Sequence, residues 1–104
     1  MATGISFDIL LRRRRLDLPF RVTEVQPTPN PNALKFILDH RISDRPMSFF
    51  DASAAEGHIV ASALFCVAGV SGLLLLGDFV TVTKSPQAAW ADISSKVKDV
   101  LARI

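Results

Sequence analysis

The side chains best able to do chemistry in this sequence are Cys66, His40 and His58, with Asp39, Asp44 and Asp51 as nearby acids. A thiolate and two imidazoles could ligate a metal or serve as nucleophile and base, but such work needs several of them at matched spacing. Neither histidine has a cysteine or carboxylate at a ligand spacing that recurs elsewhere, and no glycine-rich phosphate loop, HExxH or nucleophile elbow is present. Cys66 sits among Leu64, Phe65 and Val67 and reads as a small buried hydrophobe. His58 reads as a solvated residue near a helix start. The expectation is a protein with no catalytic residues, no metal site and no enzymatic activity of its own.

A different stretch stands out for binding. "TPNPNALKF", Thr28 to Phe36, follows Pro27 and places prolines at 27, 29 and 31 before two asparagines and an apparent strand. Each proline fixes φ near −65° and pushes its predecessor toward extended geometry, so the segment should be a stiff connector outside any ladder. Two roles fit it. As a rigid surface it would lose little entropy when a partner docks, with Thr28, Pro29, Asn30, Pro31 and Asn32 in contact and Lys35 adding a charge. As a plain crossover, its asparagines would satisfy their own backbone in Asx turns.

Composition narrows the class. The chain has 104 residues, 49% of them hydrophobic and 21% charged, which suits one globular domain. Its net charge of +2 is local: Arg12 to Arg15 against Asp8 give +3 in residues 1–15, leaving −1 for the rest. A body so near neutral lacks the clustered cations and stacking aromatics of a nucleic-acid binder. Residues 1–19 read as a flexible, arginine-containing extension, and residues 20–104 as the domain. The apolar "ISFDILL" precedes the arginines, the reverse of a secretory signal. With a single cysteine and no disulfide, a reducing, cytoplasmic location is the default. Ile59 to Leu76 is uncharged for eighteen residues, at the lower limit for a membrane span. Gly69, Ser71 and Gly72 interrupt it, so a buried helix followed by a buried strand is expected and no membrane partner.

The elements that would position these residues follow from periodicity. Phe20 to Val25 alternates as a half-buried strand, and Leu34, Phe36 and Leu38 alternate in a second. His40 to Pro46 reads as loop, with "MSFF" from Met47 a short further strand. Ser53 with Glu56 fits a capping box opening a helix that carries Ile59, Val60, Ala63, Leu64 and Val67, stopped at Gly69. Leu73 to Leu76, Gly77-Asp78 and Phe79 to Lys84 form a hairpin with a two-residue turn. Ser85 and Pro86 should start a last helix bearing Trp90, Ile93, Val97, Val100, Leu101 and Ile104. The expected fold is α+β: a two-layer sandwich of about four antiparallel strands with two helices on one face.

"TPNPNALKF", "LF" at Leu64 and Phe65 followed by "GV" at Gly69 and Val70, "DFVTVTK" at Asp78 to Lys84, and Trp90 six residues on together resemble the N-terminal domain of the Nfu/NifU-like iron-sulfur scaffold proteins. The resemblance covers about Phe20 to Ile104. It implies a small α+β domain; full-length scaffolds of the family carry a second domain whose Cys-x-x-Cys pair holds the cluster. That pair is absent from these 104 residues, and His58-Ile59-Val60-Ala61 stands where the family has Ser-Pro-Leu-Ala. One thiol per chain cannot supply the four ligands a cluster usually takes. The resemblance therefore implies an accessory role, binding iron-sulfur assembly or carrier proteins, with no cofactor held by this chain alone and a cluster on the partner. A regulatory or homo-oligomeric interaction domain without iron would share the same features.

Overall fold

The computed structural model describes residues 19–104. The arginine segment, Arg12 to Arg15, and all of the expected extension except Pro19 lie outside the described residues. Among the described residues, seven elements run in the order β1 (Val22–Pro27), β2 (Ala33–Leu38), β3 (Ser43–Phe49), α1 (Ile59–Phe65), β4 (Val70–Gly77), β5 (Phe79–Lys84) and α2 (Trp90–Arg103). The strands form one antiparallel sheet of five in the order β1-β2-β5-β4-β3. The class is the expected α+β, with five strands in place of about four.

Alternation builds the two layers. Along β2, Phe36 and Leu38 turn inward, as do Val80 and Val82 of β5 and Leu73 and Leu75 of β4. The helices meet them with Val60, Ala61 and Leu64 from α1 and Ile93, Val97 and Leu101 from α2. Phe20, just before β1, is also buried, donating its N–H to the Leu101 carbonyl at 2.9 Å. Among the described residues, no helix packs on the opposite face of the sheet. β4 and β5 join at Gly77-Asp78, with Leu76 paired to Phe79 and Gly77 at φ 56°, the two-residue hairpin that the sequence suggests.

Several local expectations are corrected. Pro27 belongs to β1, paired with Leu34, so the connector begins at Thr28. The strand expected from Met47 starts at Ser43, and Ser43 to Pro46 are strand residues at the sheet edge. Its pairing with β4 shifts between Ser43 and Met47, where Pro46 offers no donor. No capping box forms at Ser53. Asp51 organises that turn instead, accepting from the Ala54 N–H at 2.8 Å and from the Ser53 hydroxyl at 3.3 Å. Helix α1 begins six residues after Ser53 and spans only seven. Ser85 and Pro86 form a turn closed by the Ala88 N–H on the Ser85 carbonyl, 3.0 Å, and α2 starts at Trp90 without a side-chain cap. The apolar run from Ile59 to Leu76 divides into α1, a turn and most of β4. No helix among the described residues is long and apolar enough to cross a membrane.

Candidate partner-binding site

The loop from Thr28 to Asn32 is held by its own side chains. Thr28 Oγ1 lies 2.9 Å from the Asn30 carbonyl oxygen and 3.0 Å from that of Ala33, and it accepts from the Asn30 N–H at 3.1 Å. Asn30 Oδ1 accepts from the Asn32 N–H at 2.9 Å, an Asx turn, and the Ala33 N–H closes on the Asn30 carbonyl at 3.0 Å. Two of the polar groups offered for docking, the Thr28 hydroxyl and Asn30 Oδ1, are thus engaged within the loop. Pro29, Asn30 and Pro31 are exposed, and Thr28 and Asn32 are half-buried. What faces outward is a stiff ridge of two proline rings around Asn30.

A second set of contacts fixes that ridge to the body. Lys84 ends β5 and continues the inward series of Val80 and Val82, which leaves it 8% exposed. Its backbone N–H donates to the Asn32 carbonyl at 2.7 Å. Its ammonium donates to Asn32 Oδ1 at 3.1 Å and lies 3.4 and 3.5 Å from the carbonyl oxygens of Ser85 and Pro86, 5.9 Å from the Trp90 ring centre. A buried cation must have its donors satisfied, and here three oxygens and an aromatic face do so without a carboxylate. Trp90 completes the tether by donating its indole N–H to the Pro31 carbonyl at 3.1 Å. Neither Lys84 nor Trp90 is among the residues that the sequence suggests for contact. The signal for Lys84 is the period of two in β5, which carries a lysine into an apolar series.

Lys35 stands apart from the ridge. It lies on the sheet face opposite the helices, with Nζ 4.2 Å from the centre of the Phe79 ring. The loop and Lys35 are therefore two surfaces, joined only through β2.

The remaining reactive residues are dispersed. Cys66 is exposed, contrary to the buried role expected of it, because α1 ends at Phe65 with Leu64 and Val67 facing inward and Cys66 outward. Its Sγ donates to the Ser62 carbonyl at 3.5 Å. His40 stacks on Phe20 at 4.4 Å and contacts Asp39 at 2.8 Å; the Arg21 N–H on Asp39 Oδ1, 3.0 Å, helps hold that carboxyl below its ordinary range. Among the described residues no three His, Cys, Asp or Glu side chains gather as a metal would require.

His58 is not the surface residue expected. It is the N-cap of α1, accepting from the Ala61 N–H through Nδ1 at 3.1 Å and meeting the Phe49 ring edge-on at 5.6 Å. Burial lowers its pKa below the usual imidazole value. Protonation would remove the acceptor, and the unfolded chain binds that proton first as the pH drops. The stabilising contribution is thus complete above about pH 6.5 and is lost as the pH falls through the lower folded-state value. His58→Asn, which can cap but does not titrate, should stay within about 0.5 kcal/mol of wild type at neutral pH. It should also be less destabilised than wild type by acidification to about pH 5, measured by urea unfolding.

Comparison with known proteins places this geometry in context. Residues 22–104 match the family model described as the scaffold protein Nfu/NifU N terminal. The NFU1 iron-sulfur cluster scaffold homolog, mitochondrial, of Drosophila erecta is 35% identical over 80 residues, covering 75% of this chain and 28% of that protein. The uncharacterized protein YpgR of Bacillus subtilis is 28% identical over 79 residues, covering 75% of this chain and 21% of its own length. The chain thus spans less than a third of the length of these relatives. Among solved structures, a NifU-like protein from Saccharomyces cerevisiae superposes with a TM-score of 0.71 at 22% identity, covering 88% of this chain and 84% of that one. Protein SAV1430 from Staphylococcus aureus gives 0.67 at 23%, covering 77% and 96%. These two likenesses show the fold.

Proposed function

This chain belongs to the Nfu/NifU N-terminal family, and from that premise we propose that it is an accessory domain of iron-sulfur cluster assembly or delivery that acts by docking protein partners. The cluster is the cargo and is held by the partner; the chain itself performs no catalysis. The observation that carries this reading is the tethered ridge from Thr28 to Asn32. Its outward shape is set before any partner arrives, since Thr28, Asn30, Lys84 and Trp90 fix it from within. Docking on such a surface loses little conformational entropy. The proline rings and the Asn30 amide provide the contact, and the engaged polar groups of Thr28 and Asn32 provide rigidity. Cys66, the single thiol of these 104 residues and exposed, is too few for a cluster, which supports giving this domain a docking role and not a cluster-holding one.

Affinity capture from native lysate under anaerobic conditions, with the bound proteins identified and their iron and sulfide measured, tests this. The expected result is recovery of a cluster-carrying or cluster-assembling protein with iron bound. Recovery only of proteins without iron would contradict the proposal.

A further inference from the structure

We infer that the groove between α1 and α2 binds the apolar segment at residues 5–11 of this same chain. The groove holds about 560 Å³, inside the roughly 300–1,000 Å³ that ligand pockets span. Its floor is apolar, made by Val67, which is buried, and by Ala63, Val100 and Ile104, which are half-buried. Its rim is charged. Lys96, Asp99 and Arg103 follow one another along this side of α2 at spacings of three and four, all exposed, and none forms an ion pair among the described residues. Cys66 stands on the α1 side, also exposed.

Composition, position and length select the occupant. Residues 5–11 read ISFDILL, five apolar side chains around one anion, Asp8. The apolar groups suit the floor, Asp8 suits Lys96 and Arg103, and the run Arg12 to Arg15 that follows offers an opposite charge to Asp99. On the opposite face of the sheet, by contrast, Glu24 and Lys35 are already engaged by Gln26 and Phe79. Phe20 donates its N–H to the Leu101 carbonyl, so the chain joins the body on the helix layer, beside the last turn of α2. Val100, Arg103 and Ile104 of that same stretch line the groove. Leu11 precedes Phe20 by nine residues, a reach of up to about 30 Å, whereas a helix is only about 10–12 Å across. The segment can therefore cross α2. A tether of that length also holds it at an effective concentration on the order of 1 mM, so a match of modest affinity keeps the groove occupied. Occupancy covers Cys66 and leaves the ridge clear, since the ridge meets α2 at Trp90, its first residue. The inference is thus independent of the proposed docking partner.

The single thiol reports on the groove. In the full chain, Phe7→Asn and Leu10→Asn together should speed alkylation of Cys66 by N-ethylmaleimide at least about fivefold, since a groove occupied about four-fifths of the time exposes the thiol for the rest. Neutral replacements and a neutral reagent leave the charge around the thiol unchanged. Asp8→Asn alone should raise the rate about twofold, as loss of an exposed ion pair predicts. The methyl resonances of Ala63, Val67, Val100 and Ile104 should move in the double variant, with circular dichroism showing the fold intact. An unchanged alkylation rate overturns the inference, and so do unmoved groove methyls. Shifts confined to Ile37, Leu74 and Leu76 would put the segment on the opposite face of the sheet and overturn it as well. Protection of Cys66 that vanishes on dilution from about 200 μM to about 2 μM would assign the groove to the segment of another copy and overturn the intramolecular contact.

Discussion

Phe36→Ala should lower the free energy of unfolding by about 4 kcal/mol, the largest loss expected from any single change discussed here. Phe36 is fully buried on β2, between Val25 of β1 and Val80 of β5, and its removal takes away both transfer free energy and packing around the space left behind. A domain of this size has about 5–15 kcal/mol in total, so the variant would retain little margin. Its melting temperature should fall by roughly 20 °C. The ring is also a neighbour of Trp90, 6.5 Å between centres and tilted by 54°. Loss of the ring should therefore loosen the Trp90 contact to the Pro31 carbonyl and raise amide exchange in the Thr28–Asn32 loop. Thermal unfolding with hydrogen exchange measures both. A change below about 1 kcal/mol would mean that Phe36 is not a central packing residue.

Gly69→Ala should cost about 3 kcal/mol, from two sources that add. Gly69 sits at φ +97°, where a Cβ is strained, and that Cβ would lie 2.9 Å from the Ala88 Cβ and 3.0 Å from the Ile93 Cδ1. Ile93 is buried in the core and Ala88 belongs to the turn after β5, so neither can yield without shifting the start of α2. Gly69 also accepts from the Ser85 N–H at 2.8 Å, which ties this turn to the carbonyls around the Lys84 ammonium. Gly77→Ala provides the contrast. Gly77 has φ +56° and open space around it, so strain alone acts and about 1 kcal/mol is expected. Chemical denaturation of the pair should separate them by about 2 kcal/mol. Equal losses would show that close packing at Gly69 contributes nothing.

Much of the architecture could be read from the chain because its strongest patterns are set by burial. The hairpin from Leu73 to Lys84 alternates around a glycine turn, and the inward face of α2 repeats at helical spacing through Ile93, Val97 and Leu101. Burial enforces both. The failures lie where burial does not decide. Ser43 to Pro46 are strand residues at the sheet edge, paired on one side only, so they show no apolar alternation. Ser85-Pro86 suits a helix start and a turn equally well by local rules, and the Gly69 carbonyl, far along the chain, favours the turn by accepting from Ser85. Ser53 and Glu56 fit a capping box, but the Ser53 hydroxyl donates to Asp51 and the Glu56 N–H goes to the Ser53 carbonyl instead.

The candidate site divides in the same way. Proline spacing made the stiffness of the ridge visible, and the Asx turn at Asn30 was one of two roles written into it. The anchoring was not visible, since Lys84 and Trp90 reach the loop from 52 and 59 residues along the chain. Nothing local to Asn32 announces that its side chain receives a buried ammonium.

The most direct measurement is the affinity of a cluster-carrying partner for the wild-type chain and for Pro29→Glu, by calorimetry under anaerobic conditions. Pro29 is exposed on the ridge and takes no part in the hydrogen bonds of Thr28 and Asn30, so the variant should keep its stability. A ridge that docks the partner predicts at least about a tenfold loss of affinity, near 1.4 kcal/mol, with unfolding unchanged. Affinity equal to wild type in a folded Pro29→Glu chain would contradict it.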